Sequence, residues 1–122
     1  MKADMIEGIF ETHLEVKHLK ESMDFYENKL GLKLGLFDEG RRRAFYLIEK
    51  QPISMISIVE SENPNLRHMA FRVEYQNLRK MIPFLKEREI AILPGWTGAN
   101  VEEPMVYPWL GTASVFFNDI DG

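Results

Sequence analysis

Glu11 and His13 are two residues whose types and spacing could do chemistry. They lie in a segment, Ile9 to Val16, whose alternation predicts a β-strand. Because alternate strand residues face the same side, the carboxylate and the imidazole are predicted to share a face, about 6.6–6.8 Å apart along the strand. Two side chains of that reach could both approach one ion, and both groups are common ligands of divalent transition metals.

A second histidine, His68, begins another predicted strand, His68 to Val73. Counting by twos places Arg72 on the same face, where its guanidinium could contact an anion or pair with Glu11. Three consecutive arginines at positions 41–43 could also grip an anionic substrate. A solvated hairpin is the interpretation we favour for them.

Aromatic side chains could line a pocket for a small ligand, since such sites have mostly apolar walls and few polar groups. The candidates are Tyr46, Trp96, Tyr107 and Trp109. Core and loop packing explains them equally well. Three of them fall in Pro94 to Thr112, a long irregular stretch of the kind that is often functional and that we expect to set specificity.

The remaining patterns predict the elements that must position these residues. A helix is predicted over Leu19 to Leu30, because Leu19, Met23, Tyr26 and Leu30 share one helical face and Gly31 can end it. Another is predicted over Leu78 to Arg88, capped by Asn77, with a kink or a late start at Pro83. The other predicted strands are Leu32 to Phe37, Arg43 to Ile48, Ile53 to Val59, Ile90 to Leu93 and Ala113 to Phe117.

Composition and length exclude several classes of protein. The chain has 122 residues, no cysteine and a net charge of −4, which suits one globular domain without disulfides or thiolate-bound metals. Mild acidity argues against nucleic-acid binding, and no apolar stretch reaches the length of a membrane span. With no signal-peptide pattern at the amino terminus, we expect a cytoplasmic protein.

Three stretches resemble the vicinal oxygen chelate superfamily, which includes glyoxalase I, extradiol dioxygenases, fosfomycin-resistance enzymes and bleomycin-binding proteins. They are Thr12-His13-Leu14-Glu15-Val16 leading to Phe25-Tyr26 and Leu30-Gly31, then His68-Met69-Ala70-Phe71-Arg72-Val73, then Val115-Phe116-Phe117-Asn118-Asp119-Ile120-Asp121-Gly122. No single motif is specific, but the three occur in order and at suitable spacing.

The resemblance implies an α+β fold in which two βαβββ modules form a half-open curved barrel. Residues 1–122 would be one such domain, with module one at about 5–60 and module two at about 66–122. The last strand of module two is absent from the chain. The family also implies a small-molecule site in the barrel, a divalent metal such as Fe, Mn, Ni or Zn, and a homodimer.

The family's ligand positions transfer only in part. His68 stands at the family's usual place in module two, whereas the matching place in module one holds Glu11. We therefore expect Glu11, His13 and His68 to form a two-His, one-carboxylate set that suits such metals. The usual third family ligand, a Glu beyond the Asp-Gly turn, would lie past Gly122, and we favour an omitted tail.

Two function classes follow from the resemblance. The first is a metal-dependent enzyme acting on a small oxygenated molecule, a lyase or isomerase, a dioxygenase or a thiol transferase, with Glu11 as base. The alternative is a metal-free binding protein that sequesters a drug-like molecule. Glutamate at a usual histidine place favours the alternative, whereas two histidines on inward faces favour the enzyme. A third interpretation is an interaction module with an inactive site.

Overall fold

The computed structural model describes residues 4–94, 102–107 and 112–122, and the chain divides into two units between Arg67 and His68. The first unit has the βαβββ order, and the predicted α+β class is confirmed. Its elements are β1 (Glu11–Val16), α1 (Leu19–Asp24), β2 (Lys33–Asp38), β3 (Arg43–Ile48) and β4 (Ser54–Glu60), with a π-helical segment over Phe25–Lys29.

The four strands of the first unit form one sheet in the order β1-β4-β3-β2. β1 runs parallel to β4, while β3 is antiparallel to both β4 and β2. β4 is therefore an interior strand, and its neighbours satisfy its backbone groups on both sides. This fits its apolar core, because Ile56 and Ile58 are both buried.

The apolar face predicted for the helix over Leu19 to Leu30 is present, but the backbone of this segment is not one continuous α-helix. Leu19, Tyr26 and Leu30 are buried as expected. After Asp24 the turn widens, and the amide of Leu30 donates to the carbonyl of Phe25, 2.8 Å away and five residues earlier. Gly31 follows with φ +85°, the left-handed conformation expected of a glycine that ends a helix.

Tyr46 lies in the core between the sheet and this helical segment. It is fully buried, its ring is 6.1 Å from that of Tyr26, and its hydroxyl donates to the carbonyl of Met23 at 3.3 Å. Burial raises the pKa of Tyr46 to about 12, with a smaller effect from Glu27. Because Tyr46 shares its side of the sheet with Ile56, this side is the helix-packed face.

Glu60, the last residue of β4, joins the sheet to the start of α1. Its carboxylate accepts hydrogen bonds from Arg42 at 3.1 Å and from the first amide of α1, Leu19, at 2.9 Å. Without that carboxylate, the Leu19 amide would be one of the unpaired donors found at a helix start. The Arg42 hydrogen bond, followed by the Leu19 hydrogen bond, holds the pKa of Glu60 below its usual value.

The second unit contains short elements. They are α2 (Tyr75–Leu78), α3 (Met81–Glu87), β5 (Ile92–Leu93), β6 (Met105–Tyr107), β7 (Thr112–Ser114) and β8 (Phe116–Phe117). β5 pairs with β8 and β6 pairs with β7, both antiparallel. Two ion pairs, Arg79 with Glu103 and Lys86 with Glu102, join the helices to the segment before β6. No helix among the described residues has the length and apolar character that crossing a membrane requires.

Two predictions for the second unit are wrong. Residues 64–74 have no regular secondary structure, so the strand predicted for His68 to Val73 is absent. A period-two pattern marks a face, but a strand forms only where a neighbour supplies its hydrogen bonds. The predicted N-cap is wrong as well, because Asn77 lies inside α2 instead of capping the helix predicted over Leu78 to Arg88, whose range contains α3.

The late helix start expected at Pro83 is confirmed. α3 begins at Met81, which places Pro83 in the first turn of the helix. Backbone amides in a first turn have no partner within the helix, so a proline there sacrifices no hydrogen bond. The interruption after Leu78 therefore lets Pro83 be accommodated without a kink inside α3.

We predict that Glu60→Gln destabilises the first unit at neutral pH. In the native protein the lowered pKa of Glu60 stabilises folding above the unfolded pKa, and this contribution is lost as pH falls through the folded pKa. Urea unfolding at pH 7 and at about pH 3 should therefore show a difference from wild type that shrinks in acid. Glu49→Gln, which removes the exposed pair with Lys33, is the control and should have little effect at either pH.

Candidate active site

The face of the four-stranded sheet opposite the helix-packed face carries the candidate site, and we call it the site face. Side chains alternate between the two faces along each strand, and Ile56, Ile58 and Tyr46 point to the helix side. The residues that point the other way are Glu11, His13 and Glu15 on β1, Met55, Ser57 and Val59 on β4, and Arg43, Phe45 and Leu47 on β3.

Strand register brings His13 and Ser57 together. The two residues are directly paired between β1 and β4, although 44 positions separate them in the sequence. Ser57 Oγ forms a short hydrogen bond with His13 Nδ1. Ser57 is fully buried, so its hydroxyl is a fixed partner that holds the imidazole in one orientation.

Glu11 approaches the other nitrogen of the same ring. Its Oε1 lies 3.4 Å from His13 Nε2, so the prediction that the two side chains share a face is confirmed. The His13 side chain is 52% exposed and the Glu11 side chain is 27% exposed. A carboxylate and an imidazole nitrogen therefore face each other where a small molecule or an ion can reach both.

The electrostatics of this pair depend on the imidazole proton. If Nδ1 carries the proton and donates it to Ser57, the Nε2 lone pair faces the lone pairs of a carboxylate oxygen. Two acceptors at this distance repel each other unless a positive charge lies between them. A proton on Nε2, which would donate to Glu11, or a metal cation between Nε2 and Oε1 removes the repulsion.

The other predicted site residues are distributed as follows. His68 and Arg72 are exposed and lie in the second unit, within the stretch that has no regular structure. Tyr107 is buried in the second unit, with its ring 6.5 Å from that of Phe116. Tyr46 belongs to the core of the first unit. Trp96 and Trp109 lie outside the described residues.

Among residues 4–94, 102–107 and 112–122, no group of three or more His, Cys, Asp or Glu side chains is placed to hold a metal ion. Glu11 and His13 supply two donors of the predicted set. Glu15, the next acidic residue on the site face, accepts a hydrogen bond from the backbone amide of Asn65 at 2.9 Å. The geometry therefore brings together two of the three predicted ligands, with no third beside them among the described residues.

Ser57 is not among the candidate residues that the sequence singles out, and serine is a poor metal ligand. Its contribution is instead to bind the ring nitrogen of His13 that faces away from Glu11. A signal was present, since Ser57 is a polar residue flanked by Ile56 and Ile58 in the middle of a predicted strand. A buried polar group in such a place is expected to have a specific partner.

No family model matches the sequence. Among solved structures, the chain is similar to the integron cassette protein HFX_CASS4 from the mobile metagenome of the Halifax Harbour sewage outfall. That likeness has a TM-score of 0.82 and 28% identity, and it covers 96% of this chain and 93% of the other.

Two further likenesses have lower identity. The fosfomycin resistance protein FosX of Listeria monocytogenes has a TM-score of 0.67 and 22% identity, with 96% of this chain and 86% of that chain covered. Lactoylglutathione lyase of Agrobacterium tumefaciens has a TM-score of 0.66 and 20% identity, with 96% and 89% covered. The resemblance seen in the sequence is confirmed: this chain has the fold of the vicinal oxygen chelate superfamily.

Proposed function

We propose that this chain is an enzyme that binds one divalent metal ion at Glu11 and His13 and acts on a small oxygenated molecule over the site face. The observation that carries the proposal is the distance of 3.4 Å between Glu11 Oε1 and His13 Nε2. Two ligands at about 2.0–2.2 Å from an ion, at a tetrahedral angle, are about 3.3–3.5 Å apart. The pair thus has the spacing of two neighbouring ligands without rearrangement.

Ser57 supports this proposal through the other side of the ring. Metal-bound histidines usually donate their second ring N–H to a fixed acceptor, which sets the tautomer and the ring orientation. Ser57 Oγ stands at that place, next to His13 Nδ1. With Nδ1 protonated, the lone pair that remains is the one on Nε2, beside Glu11.

We propose His68 as the third ligand, on the basis of its family position in the sequence. Two histidines and one carboxylate leave open coordination positions for two adjacent oxygens of a substrate, a set that suits Fe, Mn, Ni or Zn. One solved structure of FosX from Listeria monocytogenes is a complex with Mn(II) and a dihydroxypropylphosphonic acid. That protein has 21% identity to this chain, so it supports the proposal by its fold alone.

A bound ion would supply Lewis acidity toward the oxygens of the substrate. Glu11 would accept a proton from the carbon next to those oxygens, since its carboxylate is partly exposed and adjacent to the ion position. Ser57 would keep His13 from turning away. Glyoxalase-like lyase or isomerase, dioxygenase and thiol-transferase reactions are all compatible with such an arrangement.

The second candidate function is metal-free binding of a small molecule. The apolar side chains on the site face favour it, because Phe45, Leu47 and Met55 are partly exposed beside the polar pair. A binding protein needs such a surface and no third ligand. The candidate pocket residues Arg72, Trp96, Tyr107 and Trp109 are proposed for either function.

We predict that the protein, purified without chelator or nickel affinity, binds about one Zn(II) or Mn(II) ion per chain. Glu11→Gln and His13→Gln should each remove measurable binding in calorimetric titrations, and His68→Ala should weaken it. His18→Gln changes an exposed histidine near the start of α1 and should bind as the wild type does. Equal binding by His13→Gln and wild type would overturn the metal proposal and favour the metal-free one.

We predict that Ser57→Ala lowers metal affinity by about 10–100-fold, because the partner that orients His13 is lost. Ser57→Thr keeps a hydroxyl at the same place and should retain more of the affinity than Ser57→Ala. The measurement is the same titration, with thermal unfolding to show that both variants are folded. An unchanged affinity in Ser57→Ala would mean that the hydrogen bond has no role in metal binding.

A cytoplasmic homodimer is also proposed, from the family resemblance and the sequence. Light scattering at working concentration should give a mass of about twice the 14.3 kDa of one chain. A mass of one chain would contradict the homodimer. The titrations above do not depend on this outcome, because Glu11, His13 and Ser57 all lie in the first unit.

A further inference from the structure

The three consecutive arginines of the β2–β3 hairpin have different surroundings. Arg41 is 83% exposed and lies 3.6 Å from the carboxylate of Asp38. Arg42 is hydrogen-bonded to Glu60. Arg43 makes no ion pair with any carboxylate among the described residues, and its Nε is buried without a hydrogen-bond partner. Of the three arginines, two are therefore paired with carboxylates, and Arg43 makes no ion pair within the described part of the chain.

Arg43 is also the arginine that belongs to the site face. Its neighbour Ala44 is fully buried on the helix-packed face, so the Arg43 side chain points the other way. The guanidinium carbon lies 5.9 Å from the centre of the Phe45 ring, which is on the same face. Because Phe45 is paired with Ser57, the Arg43 side chain is directed toward the row that contains His13.

An unpaired, half-buried cation is costly, since burial of a charge is unfavourable unless a counter-charge accompanies it. Asp38 lies directly opposite Arg43 in the β2–β3 register, but its carboxylate is 3.6 Å from the Arg41 guanidinium and accepts a hydrogen bond from the Arg41 backbone amide. Glu15 lies on the other side of Arg43, across Val59, and accepts a hydrogen bond from the backbone amide of Asn65. The strand spacing puts Glu15 about 9–10 Å from Arg43, measured between Cα atoms. An anion from solution would supply the missing counter-charge.

We propose that Arg43 binds the oxyanion, a carboxylate or a phosphonate, of a small acidic ligand on the site face. Guanidinium is suited to this task because its planar N–H groups form paired hydrogen bonds to two oxygens. The Cα atoms of Arg43 and His13 are about 12 Å apart by strand geometry. Because the arginine side chain is long, a small ligand could contact both its guanidinium and the His13 side chain. The identification of this ligand with the substrate rests on the proposed function. The binding of an anion to Arg43 does not depend on it.

The test follows the side-chain Nε–H resonances of the arginines by nitrogen-15 NMR during titration with methylphosphonate or acetate. The titrations are run at constant ionic strength and without divalent metal, so that their outcome is independent of metal binding. We expect a saturable shift of the Arg43 resonance with at least one anion, and none with neutral acetamide. Arg41 and Arg42 should shift weakly and without saturation.

Arg43→Gln should raise the dissociation constant of the responding anion by at least about 10-fold, the effect of losing charge-assisted hydrogen bonds. Lys33→Gln is the control, because it removes an exposed cation at the other end of β2 whose partner is Glu49, and it should bind as the wild type does. Arg43→Lys assigns the resonance and retains the charge, so the wild-type spectrum remains interpretable if Arg43→Gln does not fold.

The proposal is overturned if no anion gives a saturable shift at Arg43, or if Arg41 responds as strongly. It is also overturned if folded Arg43→Gln binds as tightly as wild type. Anion binding without metal binding would leave Arg43 as the anchor of a metal-free binding protein. Metal binding without anion binding would reject the Arg43 site and keep the proposed enzyme.

Discussion

The pairing of β4 with strands on both sides is the constraint on which the candidate site depends. Because β4 alternates strictly, Ile56 and Ile58 are buried against the helical segment while Ser57, between them, must face the other side. The parallel register with β1 then places His13 opposite Ser57. A slip of one residue would move Ser57 away from His13 and the core residues to the wrong face. Core packing and site geometry are therefore fixed by the same register.

Charge pairing separates structural ionic groups from candidate functional ones in the first unit. Glu60 is engaged by Arg42 and by the first amide of α1, so its carboxylate has a structural role at the end of the sheet. Glu11 faces an imidazole nitrogen at a distance suited to a shared cation, and Arg43 has no carboxylate partner among the described residues. These two groups carry opposite charges on one face, an arrangement that fits an ion and an acidic ligand bound together.

The sequence predicted the parts of this site that follow from local periodicity. Glu11 and His13 are two residues apart in one strand, so their common face could be inferred without knowledge of any neighbour. Ser57 could not be assigned to His13, because the pairing depends on a register between strands 44 positions apart. The roles of Arg41, Arg42 and Arg43 could not be told apart from the sequence either. The three side chains are identical and differ only in the groups that the fold places beside them.

The proposed metal site requires that His13 binds the ion through Nε2 while Ser57 holds Nδ1. The most direct test is the proton–nitrogen correlation spectrum of the histidine rings, recorded with and without one equivalent of Zn(II). We expect that, with zinc bound, Nδ1 of His13 carries the proton and the Nε2 resonance has the shift of a metal-bound nitrogen. Zinc coordination at Nδ1, or no change at either nitrogen of His13, would contradict this arrangement.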